Sequence, residues 1–471
     1  MRPFARAAAT LILLAPALLS VSSGTAVGQA GPTTAGTRLW LARFAGSSGY
    51  DAGAVVATSP DGARVFVTGT SEGRRGPDFT TLAYDPSTGE QLWKARFGTR
   101  YRRGGDVSAL AVSPDGAMVF VTGAIFVGES TYVWATVAYD ARTGSQVWAR
   151  RYGAGPDTYS SPADLGVSPD GAMLVVTGGL RSEVGSSDYA TVAYDTTSGA
   201  EVWTKEYDGR GTGGGDDGAS ALALSPDGDT VFVTGTSEGK AFGVTNEHFA
   251  TVAYDASTGS KLWLTRHRDA GWEADDLAVS SDGTMVFVTG DSARTIGLPW
   301  STSHTVAYDA TTGADIWTVR SPNEPLVPSA VASIAVSPDG GTVFLSGTMN
   351  GRVFATVALD PSSGTVRWGQ DYDGEPDVYY SDIVSDMTVS PDGSEVFVTG
   401  WSGKWHKPDY ATVAYAASSG NELWVRRFDG RRDGTDIARS VAVSPDGSTV
   451  FVTGESEGST SLDFVTIAYS A

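Results

Sequence analysis

The sequence predicts an all-β fold, an eight-bladed β-propeller of four-stranded antiparallel blades whose last blade is closed by the N-terminal strand. Three observations carry that expectation. A unit containing Ser-Pro-Asp-Gly or a near variant recurs eight times, with its turn aspartate at Asp61, Asp115, Asp170, Asp227, Asp282, Asp339, Asp392 and Asp446. Each unit holds several short runs rich in Val, Phe, Tyr and Thr, so the long period means repeated sheets rather than a helical solenoid. The last unit lacks its final run, and a matching segment stands near the N-terminus.

The second unit shows the four elements in order. Strand A is Val107 to Val112 and ends at Ser113-Pro114-Asp115-Gly116. Proline presets that turn, aspartate can bond its backbone, and glycine takes the positive φ that follows. Strand B is Met118 to Thr122. Strand C is Val133 to Tyr139, followed by the turn Asp140-Ala141-Arg142-Thr143-Gly144. Strand D, Gln146 to Arg151, contains a tryptophan. Strands B and C are apolar on both faces, as expected where each sheet is covered on both sides. Turn signals recur every ten or so residues without a 3.6-residue period, which argues against helices.

The ends predict closure. The chain finishes on a strand C at Ile467 to Ala471, while Gly36-Thr37-Arg38-Leu39-Trp40 matches Gly89-Glu90-Gln91-Leu92-Trp93 of a strand D. A linear solenoid has no need of its first strand to complete its last repeat.

These residues resemble the tryptophan-docking repeat of pyrroloquinoline-quinone-type propellers, Ala-x-Asp-x-x-x-Gly-x-x-x-Trp. Ala138, Asp140, Gly144 and Trp148 fit it, and the docking tryptophans are Trp40, Trp93, Trp148, Trp203, Trp263, Trp317, Trp368 and Trp424. The seventh unit has Ala416 in place of the aspartate. The Ser-Pro-Asp-Gly and Val-Phe-Val-Thr-Gly half also resembles YVTN and SBBP surface-propeller repeats. The tryptophans read as structural, since each buries roughly 150–250 Å², of order 4–6 kcal/mol before allowing for a compact unfolded chain.

The resemblance implies two opposite functions. Quinoprotein dehydrogenases hold the quinone and calcium above the ring's centre, several on a disulfide that a chain without cysteine cannot form. Non-catalytic members include an outer-membrane assembly lipoprotein, whose anchoring cysteine is also absent. No HExxH, Gly-x-Ser-x-Gly or P-loop occurs, and His248, His267, His304 and His406 each stand alone and read as solvated loop residues. Asp51, Asp217, Asp382 and Asp436, with Asp106, recur near the start of strand A. They read as caps on backbone groups, with calcium collection as the alternative.

The net charge of −21 speaks against nucleic-acid or anionic-membrane partners. Residues 1–30 read as a signal peptide, with Arg2 and Arg6 before an apolar run, and residues 31–471 as the propeller. The chain is therefore expected to be secreted or periplasmic, without a membrane span, and monomeric. The A–B and C–D turns are nearly identical in all units, whereas the B–C and D–A connections vary, as in Thr236 to Glu247, Asp291 to Ser303 and Asp373 to Ser381. Binding is expected on the variable face. Its candidate residues are Trp272, Trp300, Trp401, Trp405, Tyr379 and Tyr380, joined by Tyr101 and Tyr159. The expected function is a non-enzymatic scaffold for a protein or carbohydrate partner, with no cofactor, metal or catalytic residue. A divergent quinoprotein dehydrogenase or glycan-acting enzyme is the alternative.

Overall fold

The computed structural model describes residues 34–471 except 47–48, 74–75, 99–103, 129–130, 154, 156–157, 182–185, 210–215, 242–243, 268–272, 293–301, 322–323, 325, 375–381, 405, 432–433 and 460. The described residues form eight four-stranded antiparallel sheets, each running A to D from the centre outward. In the first blade the strands are Asp51–Thr58, Val65–Gly73, Gly76–Tyr84 and Gln91–Phe97. Strand A of every blade packs on strand A of both neighbours, so these eight strands make the innermost ring. Strands B and C run further than their apolar cores. In the second blade they are Met118–Phe126 and Tyr132–Asp140.

The eighth blade is built from both ends of the chain, in the order Arg38–Phe44, Leu462–Ser470, Thr449–Glu457, Asp436–Val443. Gly36 N–H donates to the Ser470 carbonyl at 2.7 Å, and Ser470 N–H to Thr37 at 2.9 Å. The expected closure is therefore present.

The motif's physical logic is visible at each junction. Trp148 of the second blade lies on Gly199 in the C–D turn of the third, where an added Cβ would sit 2.5 Å from the indole. Its Nε1–H donates to Thr196 O at 2.7 Å. Gly199 also holds φ +66°, so only glycine fits without strain. The same packing recurs for all eight tryptophans, with Trp424 resting on Gly36 at the seam. Seven indole N–H groups reach a carbonyl one residue beyond the C–D turn aspartate position, as in Trp40 to Pro86 and Trp368 to Ala417. At the seam that residue is Ala471, and Trp424 Nε1 is buried without a hydrogen bond.

Two further repeated bonds stiffen each blade. In the A–B turn, Asp227 Oδ1 accepts Asp229 N–H at 3.0 Å, and Ser225 Oγ accepts Thr230 N–H at 2.9 Å. Inside the sheet, buried threonines of strands B and C pair, as Thr68 with Thr81 at 3.1 Å. Around the ring each A–B glycine touches the preceding blade's turn, Gly228 lying against Pro169.

Removing residues 31–45 should strip strand D from the eighth blade and bare the edge at Ala468 and Tyr469, with a large fall in melting temperature and aggregation through that edge. Unchanged melting would refute closure. Trp148→Ala should cost about 3–5 kcal/mol in denaturant titrations. Trp424→Phe should cost less than Trp148→Phe, because only the latter loses an indole hydrogen bond, worth about 1 kcal/mol.

Candidate functional site

The innermost strands carry most of the unusual chemistry. Every strand A contains a β-bulge, so one residue is left out of the ladder and the next is turned against the neighbouring blade. Directly after the bulge stand Asp164, Asp276 and Asp386 in the third, fifth and seventh blades. Asp164 Oδ1 accepts Leu165 N–H at 2.7 Å, and its Oδ2 accepts Leu222 N–H of the next blade at 2.9 Å. Asp276 bridges Leu277 and Ile334 in the same way, and Asp386 bridges Met387 and Val441. Burial pushes the Asp164 carboxyl up to about 8 and the Asp386 carboxyl up to about 7, against the pull of these N–H donors. The sequence reading did not single out these three residues. Their signal is an acidic side chain three places before the end of strand A.

The aspartates that open strand A are buried inside the blades. Asp217 Oδ2 accepts Gly209 N–H at 2.8 Å, Asp382 accepts Gly374 at 2.8 Å and Asp436 accepts Gly430 at 2.8 Å. Asp51 does the same for Gly46. They cap the backbone where the D–A connection enters the strand. At two junctions a second and third carboxylate gather beside the cap: Asp188, Asp208 and Asp217, and Asp409, Asp429 and Asp436, with ligand atoms within 4.8 Å of one another. The two groups occupy equivalent places four blades apart. In the second, Arg427 pairs with Asp409 at 2.9 Å. In the first, that strand position is Glu206, and burial with the neighbouring Asp208 raises the Asp188 carboxyl to about 6.

Among the described residues, the other charged side chains of the innermost strands are Asp106, Glu273, Asp275 and Arg439. Arg439 pairs with Glu455, which also accepts Tyr50 Oη–H at 3.4 Å. A pyrroloquinoline quinone is a tricarboxylate. This set offers it three acids and an arginine already neutralised by Glu455, so the described inner-strand residues do not fit the quinone. Asp51, Asp382 and Asp436 each keep one buried carboxylate oxygen without a hydrogen bond.

Several expected placements change. Trp401 lies within a strand B, Glu395–Lys404, opposite Tyr410 and Ile383, and is half-buried. It belongs to no loop. Thr236 to Glu247 is likewise no free connection, because Thr230–Ala241 and Val244–Asp255 continue their ladder as far as the pair Ala241 and Val244. No proline or bulge interrupts that pair. Trp272, Trp300, Trp405, Tyr379, Tyr380 and Tyr101 lie outside the described residues. Tyr159 is 57% exposed, with its ring 4.8 Å from Tyr132. His267 and His304 are buried strand residues. They stand opposite Phe249 and Arg320, at positions where other blades place Phe, Tyr or Trp.

The family described as "Outer membrane protein assembly factor BamB" matches residues 25–247 and 188–463. A quinoprotein ethanol dehydrogenase of Pseudomonas aeruginosa is 26% identical over 286 residues, which is 59% of this chain and 41% of that protein. The chain thus spans less than half of that relative's length. Among solved structures, Chaetomium thermophilum Sqt1 bound to the N-terminus of a ribosomal protein is 14% identical, with TM-score 0.56 over 91% of this chain and 98% of that one. BamB from Moraxella catarrhalis is 14% identical, with TM-score 0.50 over 92% and 99%. These structural likenesses show the shared fold.

The inner carboxylates set a pH dependence. A carboxyl raised on folding contributes its full stability below the unfolded value, near 3.8, and loses it as pH rises through the folded value. Melting temperature should therefore fall between about pH 6 and pH 9, and Asp164→Asn with Asp386→Asn should flatten that slope. A wild-type melting temperature that rises over this range would contradict the assignment.

Proposed function

Because this chain belongs to the PQQ-like β-propeller repeat family, described as outer membrane protein assembly factor BamB, we propose that it is an exported, non-enzymatic binding scaffold. Its recognition surface is the face of the B–C and D–A connections, and its partner is a protein. One observation carries this reading. Blade-to-blade differences in chemistry concentrate at that face and at the adjoining starts of strand A, while the opposite turns repeat almost unchanged. A rigid ring with one variable face suits recognition by loops. The neighbours named above as an assembly factor and as a complex with a ribosomal protein lend support to a protein partner.

The acidic composition favours a partner other than nucleic acid. No helix among the described residues is long and apolar enough to cross a membrane. We read the protein as a monomer, since the ring closes on itself. The dehydrogenase relative keeps the enzymatic alternative specific enough to test.

Photo-crosslinking residues placed at Tyr159 and Glu273 on the variable face should give a discrete protein adduct in the exporting cell, and a matched probe at Tyr50 should join it. A glycan adduct, or no adduct from any of the three, would overturn the reading. Titration with pyrroloquinoline quinone and calcium, followed by absorbance and dye reduction with ethanol, should show neither uptake nor turnover. Stoichiometric uptake with turnover would place the chain with the dehydrogenases.

A further inference from the structure

The junction between the seventh and eighth blades gathers carboxylates from three separate elements. Asp409 lies on strand C of the seventh blade, Lys407–Ala416, and Asp429 directly follows its strand D, Glu422–Phe428. Asp436 opens strand A of the eighth, Asp436–Val443. One oxygen of each lies within 4.8 Å of the other two. Burial raises the Asp409 carboxyl to about 6, and Asp429 and Asp436 add to that rise while Arg427 opposes it. Arg427 Nη2 meets Asp409 Oδ2 at 2.9 Å, which leaves two of the three negative charges unmatched. Arg43 also acts on Asp436, but it pairs with Asp463 at 3.0 Å and donates to Ser456 Oγ at 2.9 Å.

Acidic groups alone are ordinary surface chemistry. A second observation separates this one. Asp436 is 0% exposed, and its Oδ2 accepts Gly430 N–H at 2.8 Å, while its Oδ1 is buried without a hydrogen bond. The equivalent group four blades away shows how that oxygen is met when the backbone serves it. There Asp217 Oδ2 accepts Gly209 N–H at 2.8 Å and Oδ1 accepts Glu238 N–H at 3.1 Å. In the eighth blade the matching N–H, that of Glu457, goes to Thr435 O at 2.9 Å instead. Gly430 keeps the space beside Oδ1 clear, since an added Cβ would sit 2.5 Å from it. Asp51 and Asp382 also keep such an oxygen, but among the described residues no two further carboxylates gather with them.

We propose that Asp409, Asp429 and Asp436 form a calcium site that ties the seventh blade and its outgoing connection to the blade that closes the ring. A buried carboxylate oxygen with no donor is costly unless a cation meets it. Oxygens that share one calcium ion lie at most about 4.6–5.2 Å apart, which this spacing satisfies. Two unmatched negative charges equal one divalent cation. Magnesium dehydrates reluctantly and is ordinarily held through one or two carboxylates, so three of them around a buried oxygen favour calcium. Asp429 is exposed, which leaves a side open for water to complete the coordination.

The test is calorimetric titration of the full chain, stripped with EDTA and dialysed, against calcium chloride and against magnesium chloride at matched ionic strength. Calcium should bind with a dissociation constant on the order of 10⁻⁵–10⁻³ M, and magnesium at least about tenfold more weakly. Asp429→Asn should melt as the wild type does in EDTA, yet bind calcium at least about tenfold more weakly. Asp436→Asn keeps an oxygen for Gly430 N–H and should weaken uptake as much. Asp208→Asn, the matching change four blades away, should leave this uptake in place. Calcium at about 10 mM should raise the wild-type melting temperature by at least about 1 °C, and that of Asp429→Asn by less than half as much. Absence of uptake, equal affinity for magnesium, or uptake kept by Asp429→Asn and lost with Asp208→Asn would each overturn the proposal.

Discussion

The whole ring depends on one contact, the edge of an indole laid against a glycine of the next blade. A blade alone has two apolar faces and cannot hide either, so its stability comes from its neighbours. The tryptophan fixes how closely two blades approach, because its flat ring needs a partner with no Cβ and a carbonyl within reach of Nε1. Gly199 and Thr196 supply both for Trp148. Repeating that distance eight times gives a circle, which has to close on a blade whose strands come from opposite ends of the chain. At the seam the indole of Trp424 still finds its glycine, Gly36, and Arg426 donates to the Gly36 carbonyl, but the indole N–H finds no carbonyl. Packing, rather than that hydrogen bond, is what the closure cannot lose.

A second constraint acts at the centre. Eight twisted sheets converge there, and each inner strand relieves the crowding with a bulge that leaves backbone N–H groups out of register. Those groups must be met by something. Asp164, Asp276 and Asp386 meet them across three junctions, and Ser440 does so more weakly for Val56 N–H at 3.4 Å. Carboxylates placed this deep are costly to ionise. Their service to the backbone therefore carries a cost that grows with pH.

The fold was legible because its determinants are local and repeated. Ser-Pro-Asp-Gly announces a turn wherever it stands, and the missing final strand with its match at Trp40 announces closure. The site was legible only in part. Asp51, Asp217, Asp382 and Asp436 were recognisable as strand-entry caps, since an aspartate just after a glycine-bearing connection has a donor at hand. Asp164 was not, because its role depends on a bulge that shifts it by one place toward the next blade, and no sequence pattern states a bulge. Trp401 misled for a related reason. Counting from the turns ends strand B at Gly400, yet the ladder continues to Lys404. His267 and His304 misled because a polar side chain in an apolar strand reads as an exception, when here each stands in for an aromatic ring.

Repetition also blurs the usual division between structural and functional residues. The turn aspartates recur because Oδ1 closes a turn in nearly every blade, and that requirement alone would explain their number. A carboxylate has two oxygens, however, and satisfying the fold with one leaves the other facing solvent with a full charge behind it. Most turns meet the first need by creating the second, although the seventh blade closes its C–D turn with Ala416 in place of the aspartate. Arg367, paired with Asp360 at 2.8 Å, shows that the chain itself exploits that charge once, using an arginine where its other blades keep an aliphatic residue. The variable face offers diversity without repetition, and the turn face offers repetition without diversity.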